Sequence, residues 1–214
     1  QIARHHVTNS QYAEFLNSVD PNGTNDLELF DSRMEQFFHP VSFEPVAAWT
    51  GGIELEESAP AGARYSAKSG QENLPATWIS WVSGARFVNW LSNGQGIGDT
   101  ESCVYNNLPA TSTDPIPVRE AGATIFLPTE NEFYKAAYYN PTLNAGAGGY
   151  TEYGVSNSPP VIEGPTGGAN SANYAQTDGT DGPNGDSYWQ NSGGSFDDSL
   201  DYRTEVDAYA TATS

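Results

Sequence analysis

One cysteine, one methionine and three histidines are nearly all that 214 residues offer to a soft metal ion. A lone Cys103 excludes an internal disulfide and any thiolate cluster within the chain, although it leaves an extracellular home open. His5 and His6 are adjacent, so in an extended segment their rings point to opposite faces. With His39 they are the only imidazoles, and none of the three has the His-x-x-x-His spacing of a helical metal pair. Positive charge is equally scarce: 8 Lys and Arg face 27 Asp and Glu, a net charge of −19. Such a surface repels phosphate backbones and anionic lipid, which argues against nucleic-acid or membrane-surface binding. No apolar run reaches membrane-spanning length. No signal peptide is visible in a sequence that begins at Gln1.

What is present is aromatic and loop-forming. Aromatics make up 12% of the residues, with 12 Tyr and 5 Trp, beside 22 Gly and 14 Pro. This composition predicts a core of few, bulky side chains, modest regular structure and long ordered loops. Oxygen-bearing side chains suit divalent cations such as calcium. High Asn, Gly, Ser and Thr with little Lys leans the reading toward an exported protein.

The first element is a helix over 8–19. Thr8 and Gln11 form a capping box, Tyr12, Phe15, Leu16 and Val19 share a face, and Asp20-Pro21-Asn22-Gly23 ends it. Asn22-Gly23-Thr24 carries the N-glycosylation pattern. A short helical piece is expected within 27–38, and short strands at 52–56 and 64–67 flank a turn at Pro60-Ala61-Gly62. Two similar strand-to-helix passages follow. In the first, Thr77–Trp81 reads as a strand. A helix from Val82 to Asn93 follows, with Val82, Ala85, Val88 and Leu91 as its stripe, and Phe87 and Trp90 extend burial to a second side. Gly94-Gln95-Gly96-Ile97-Gly98 follows a helix rather than joining a strand to one, so it does not read as a dinucleotide loop. Residues 99–122, with Pro109, Pro115 and Pro117, read as a surface excursion. In the second passage Thr124–Leu127 reads as a strand. Thr129 and Glu132 form another capping box, Glu130 and Glu132 suit the positive end of the helix dipole, and Phe133, Ala136, Ala137 and Tyr138 supply a buried face. Beyond Thr142 no helix is expected, only ordered loops pinned by tyrosines such as Tyr150 and Tyr153.

Three blocks carry a resemblance: Val7-Thr8-Asn9-Ser10-Gln11-Tyr12-Ala13-Glu14-Phe15; Leu74-Pro75-Ala76-Thr77-Trp78-Ile79-Ser80-Trp81 with Ala85, Asn89 and Trp90; and Phe126-Leu127-Pro128-Thr129-Glu130-Asn131-Glu132-Phe133-Tyr134-Lys135-Ala136-Ala137. In this order they resemble the formylglycine-generating enzyme (sulfatase-modifying factor) superfamily, most of all its exported bacterial members. Residues 168–174 and 206–209 are similar to later family blocks. The resemblance implies a single α+β domain over 1–214, related to C-type lectins, with little regular structure and often calcium. The family's Gly-Asn-Val-Trp-Glu-Trp-like and Arg-Gly-Gly-Ser-Trp-like blocks, and the cysteine pair that holds copper in its active oxidases, have no counterpart in the sequence. The sequence is therefore expected to be incomplete at both ends.

The resemblance places a calcium site at the side chain of Asn173 and the carbonyl of Tyr174, joined by an aspartate that is either Asp198 or Asp201. Asp178, Asp181, Asn184 and Asp186 form a second oxygen-rich stretch, without the spacing of an EF-hand. No catalytic residue is assigned. The favoured expectation is a non-catalytic exported binding or structural module at the cell surface or in an extracellular matrix, with glycan, protein or another copy as partner. A subunit of an extracellular polymer is the next reading. A copper-dependent oxidase that makes formylglycine in sulfatases is the third, and it needs a cysteine pair. Calorimetric titration with calcium is expected to give a binding heat and a higher melting temperature that chelator reverses. Absence of both heat and melting shift would remove the calcium site.

Overall fold

The computed structural model describes residues 2–109, 114–154 and 203–206, together with the backbone of short strands at 161–162, 171–172, 176–177 and 186–187. The chain divides into two compact units. One comprises Val7–Pro45 and Thr50–Leu127, the other Gln1–His6, Val46–Trp49 and Pro128–Ser214.

The first of these units is built on α1 (Asn9–Val19). Thr8 caps it: its hydroxyl accepts the Gln11 N–H at 3.2 Å and the Gln11 side chain accepts the Thr8 N–H at 3.0 Å. Two orphan donors of the first turn are thereby satisfied, as the capping box in the sequence predicts. Tyr12, Phe15 and Leu16 are buried. A short helix, α2 (Ser32–Glu35), is capped by Asp31. An antiparallel hairpin of β1 (Ile53–Leu55) and β2 (Tyr65–Ala67) follows, with Glu54 opposite Ser66. Asn17, on the last turn of α1, locks onto this hairpin by donating to the Tyr65 carbonyl and accepting the Tyr65 N–H at 2.7 and 2.9 Å.

The longest helix among the described residues, α3 (Trp81–Ser92), starts at the N-cap Ser80 and lies between two apolar clusters. Phe87 and Trp90 join Tyr12, Phe15 and Leu16 on one side. Phe15 meets Phe87 edge-on with centroids 5.3 Å apart, and Trp90 lies at 5.3 Å. Ala85 and Val88 face the other cluster, with Val104 and Tyr105. Burial on two sides is what the doubled stripe predicts. Each buried aromatic contributes roughly 2–3 kcal/mol of hydrophobic stabilisation.

Two predicted strands do not form. Residues 77–81 leave the β region at Trp78, whose φ is +61°, and the chain before it makes only an isolated bridge between Thr8 and Pro75. Its backbone is satisfied by α1's entry instead: Asn9 N–H donates to Leu74 O at 3.0 Å and Ala76 N–H to Val7 O at 2.9 Å. Residues 124–127 find no strand partner either. The Tyr105 hydroxyl replaces a neighbouring strand, accepting the Leu127 N–H at 3.1 Å and donating to the Leu127 carbonyl at 3.3 Å.

The predicted surface excursion after α3 is also corrected in part, because Thr100, Val104 and Tyr105 are buried. Asn89 on α3 holds them. Its side chain donates to the Thr100 and Tyr105 carbonyls and accepts the Val104 and Tyr105 N–H groups, at 2.8 to 2.9 Å. Glycine is required where the loops press closest. A Cβ on Gly52 would lie 2.1 Å from the Asn9 amide nitrogen. Among the described residues no helix is long and apolar enough to cross a membrane.

Replacing Asn89 with Ala strands buried backbone donors and acceptors, so the expected loss is about 3 kcal/mol of unfolding free energy. Asn93 makes its bonds to the Asp99 and Ser102 carbonyls at the exposed surface, and Asn93→Ala is expected to cost under about 1 kcal/mol. Urea denaturation of both variants checks the ordering; equal losses would show that burial of the Asn89 network is not what matters.

Candidate binding surface

The second unit carries α4 (Glu130–Tyr138). Thr129 is its N-cap. The Glu132 N–H donates to the Thr129 hydroxyl at 3.3 Å, and the Thr129 N–H donates to the Glu132 carboxylate at 2.9 Å. The Thr129 hydroxyl also lies 3.0 Å from that carboxylate. Glu132 is thus committed to the helix start, and Glu130 sits in the same positive first turn.

The expected buried face of α4 is not found. None of its residues is buried, and Phe133 is 51% exposed. Ala136 is also exposed, while Ala137 and Tyr138 are only half-buried. The apolar positions instead form part of a surface. Tyr134 and Tyr138, four residues apart on one helix face, stack with centroids 4.8 Å apart. Tyr150 stacks on Tyr134 at 5.2 Å, and Tyr139 meets Tyr150 edge-on at 5.5 Å. The result is a ladder in the order Tyr138, Tyr134, Tyr150, Tyr139, with Tyr134 and Tyr150 each half exposed.

Local chemistry places the rungs. α4 stops at Tyr138, before Pro141, whose ring disfavours helical geometry in the preceding residue. The chain continues directly into β3 (Tyr139–Asn140), which pairs antiparallel with β4 (Gly149–Tyr150), setting Tyr139 opposite Tyr150. The connecting turn puts Asn144 and Ala145 in the left-handed region and is closed by the Asn144 amide on the Gly148 carbonyl at 2.9 Å. Gly148, at φ +81°, leaves room for Tyr139: a Cβ there would lie 2.2 Å from its hydroxyl. Thr151 then ties β4 back to the helix end, its N–H donating to the Tyr138 carbonyl at 2.8 Å. Lys135 reaches over the Tyr139 ring at 5.6 Å. The tyrosines at 134, 138 and 139 and the Gly148-Gly149-Tyr150 run were the available signals for this surface. Helical periodicity assigns Tyr138 to a core instead.

The residues expected to bind calcium, Asn173, Tyr174, Asp198 and Asp201, lie outside the described residues. So do Asp178, Asp181 and Asn184. Elsewhere in this part of the chain the described backbone shows β5 (Val161–Ile162) parallel to β6 (Ser171–Ala172), and β7 (Gln176–Thr177) antiparallel to β8 (Asp186–Ser187).

The remaining candidates are dispersed. His5 Nδ1 is 2.8 Å from the Val206 carbonyl. Cys103 is exposed at φ +139°, and its N–H donates to the Asn106 side chain at 3.2 Å. Among the described residues no group of three or more His, Cys, Asp or Glu is placed to hold a metal ion. Copper held by paired thiolates does not fit the one exposed thiol. The Gly94–Gly98 loop curls back on α3, with its Gly96 carbonyl accepting from the Trp90 indole at 2.8 Å. In the unit containing α1, an open groove of about 430 Å³ runs between that helix and β2. Asn17 in its wall is already committed to the Tyr65 backbone.

A family model described as the sulfatase-modifying factor enzyme 1-like domain matches residues 1–211. Comparison with curated proteins and with solved structures finds no match.

Gly148→Ala combines a left-handed backbone with a Cβ directed at Tyr139. It is expected to cost about 1 kcal/mol and to displace Tyr139 from the ladder. Loss of near-ultraviolet tyrosine dichroism, with retained far-ultraviolet signal, is the readout. An unchanged aromatic spectrum would show that Gly148 does not set the ladder.

Proposed function

The chain belongs to the sulfatase-modifying factor enzyme 1-like domain family, and from that premise we propose that it is a non-catalytic binding or structural module. The observation that carries the reading is the tyrosine ladder, an ordered aromatic surface left open to solvent on α4 and β4. Buried aromatics stabilise a fold; half-exposed rings held by a capped helix and a tight hairpin are arranged for a partner. The conspicuous carboxylate beside them, Glu132, is engaged as a helix cap.

In this reading the scaffold is related to C-type lectins and stabilised by calcium at Asn173 and Tyr174 with Asp198 or Asp201. The protein works outside the cell, at its surface or in a matrix or polymer. Of the partners open to it, glycan, protein or another copy, a neutral glycan suits the ladder best. Tyrosines offer apolar ring surface and hydroxyls together, and a net charge of −19 disfavours an anionic ligand.

The family match itself favours a second reading, a copper-dependent oxidase generating formylglycine in sulfatases. That chemistry draws on soft thiolate ligands, and Cys103 is the one thiol in these 214 residues.

Affinity electrophoresis through gels containing neutral polysaccharides tests the first reading. Retardation is expected for the parent protein, with at least a several-fold loss of affinity in Tyr134→Ala and Tyr150→Ala. Equal retardation of parent and variants would remove the ladder from the binding surface. Conversion of a cysteine-containing sulfatase peptide to the aldehyde by the copper-loaded protein would establish the oxidase reading instead.

A further inference from the structure

We propose that the hairpin over 38–45, in the unit containing α1, is a pH-dependent device whose apolar tip is held in place by neutral His39. Phe38 and Pro45 form an isolated antiparallel bridge at its base. Above it, the His39 N–H donates to the Glu44 carbonyl and the Phe43 N–H donates to the His39 carbonyl, both at 2.9 Å. The crossing is finished by a side chain. His39 Nδ1 accepts the backbone N–H groups of both Val41 and Ser42, each at 3.2 Å. An imidazole nitrogen can accept only while it carries no proton.

The tip needs that support. Phe43 sits at φ +59°, in the left-handed region, which a residue with a bulky side chain adopts only under constraint. It is also 76% exposed and Val41 79% exposed, so packing does not repay the conformation. The local hydrogen bonds therefore hold the turn, and two of them converge on one titratable atom. Other bonds within the hairpin are backbone pairs, with a long contact of 3.5 Å from the Glu44 N–H to the Ser42 hydroxyl.

Histidine changes charge within the interval from about pH 8 to 5. Above it, Nδ1 is free to accept, and Val41 and Phe43 are presented in one fixed arrangement. As pH falls, the proton arriving at Nδ1 faces two N–H donors, both bonds are lost, and the turn relaxes. Order is present at high pH and lost on acidification. Charged side chains on neighbouring elements include Glu44 on the returning limb, Arg33 and Glu35 on α2, and Lys68, whose Nζ donates to the Glu35 and Gly51 carbonyls. Arg33 is paired with Asp31 at 2.5 Å and lies 4.1 Å over the Trp78 ring. The His39 variants separate the contribution of the Glu44 and Glu35 carboxylates from that of the ring.

The experiment is a proton–nitrogen NMR titration of the whole 214-residue chain from pH 8 to 5. The Val41 and Ser42 amide resonances are expected to move with the same midpoint as the His39 ring protons. The Phe43 amide-to-α coupling should shift away from its left-handed value over the same range. His39→Asn supplies a side-chain oxygen that accepts from the residues following it without titrating. In that variant the tip is expected to stay ordered at both ends of the range. His39→Ala should show the relaxed pattern at every pH, while α1 resonances remain unchanged in both variants. Immobile Val41 and Ser42 amides during titration of the ring would overturn the proposal. So would the same pH response in His39→Asn, which would assign the effect to the carboxylates.

Discussion

Asn89 projects, fully buried, from the middle of α3 and meets the backbone of a loop that has no strand beside it. Its amide supplies two donors and a doubly used acceptor to Thr100, Val104 and Tyr105. The rest of the fold depends on the constraint this solves. Every buried N–H and C=O needs a partner, yet the described strands are only two or three residues long. Side chains must therefore do what sheet ladders do elsewhere. Asn17 pairs both polar groups of Tyr65, Asn25 pairs both of Phe30, and Tyr105 does the same for Leu127.

This arrangement explains a protein that is poor in regular structure and still well packed. Aromatic rings give α1 and α3 a large buried area from few residues, and asparagines pin the loops over them. Asp20 shows the same economy at the exit of α1, where one carboxylate accepts from the Thr24 and Asn25 N–H groups and from the Tyr65 hydroxyl. Burial and the facing Asp20 carboxylate raise the Tyr65 phenol above its usual range, so it remains a donor through the whole physiological interval. Tyr12 is likewise raised, by burial, and its hydroxyl donates to the Leu29 carbonyl at 3.0 Å.

The unit containing α4 reuses the same parts to a different end. Its helix is capped as firmly as α1, yet its aromatics stack on one another at the surface rather than inside. Capping fixes where α4 starts, and its exposed face is left to the stacked tyrosines. The Val41 and Phe43 tip is a second exposed apolar feature, held by local hydrogen bonds with one titratable acceptor among them.

The sequence alone determined whatever depends on neighbours within a few residues. Thr8 with Gln11 and Thr129 with Glu132 had to start helices, because the capping groups lie three positions apart in the chain. The turn at Pro60-Ala61-Gly62 likewise joined two strands, and the ordered blocks fixed the family. Tertiary structure decided what depends on distant partners. Thr77–Trp81 and Thr124–Leu127 have strand-like side chains, but a strand exists only where another backbone comes alongside. α1's entry and the Tyr105 hydroxyl supplied the hydrogen bonds instead. The stripe of α4 reads like the stripe of α3, and periodicity reports that a helix has an apolar face without reporting what covers it. In α4 that face stays at the surface, where Tyr150 returns to stack on it after one left-handed turn between two short strands.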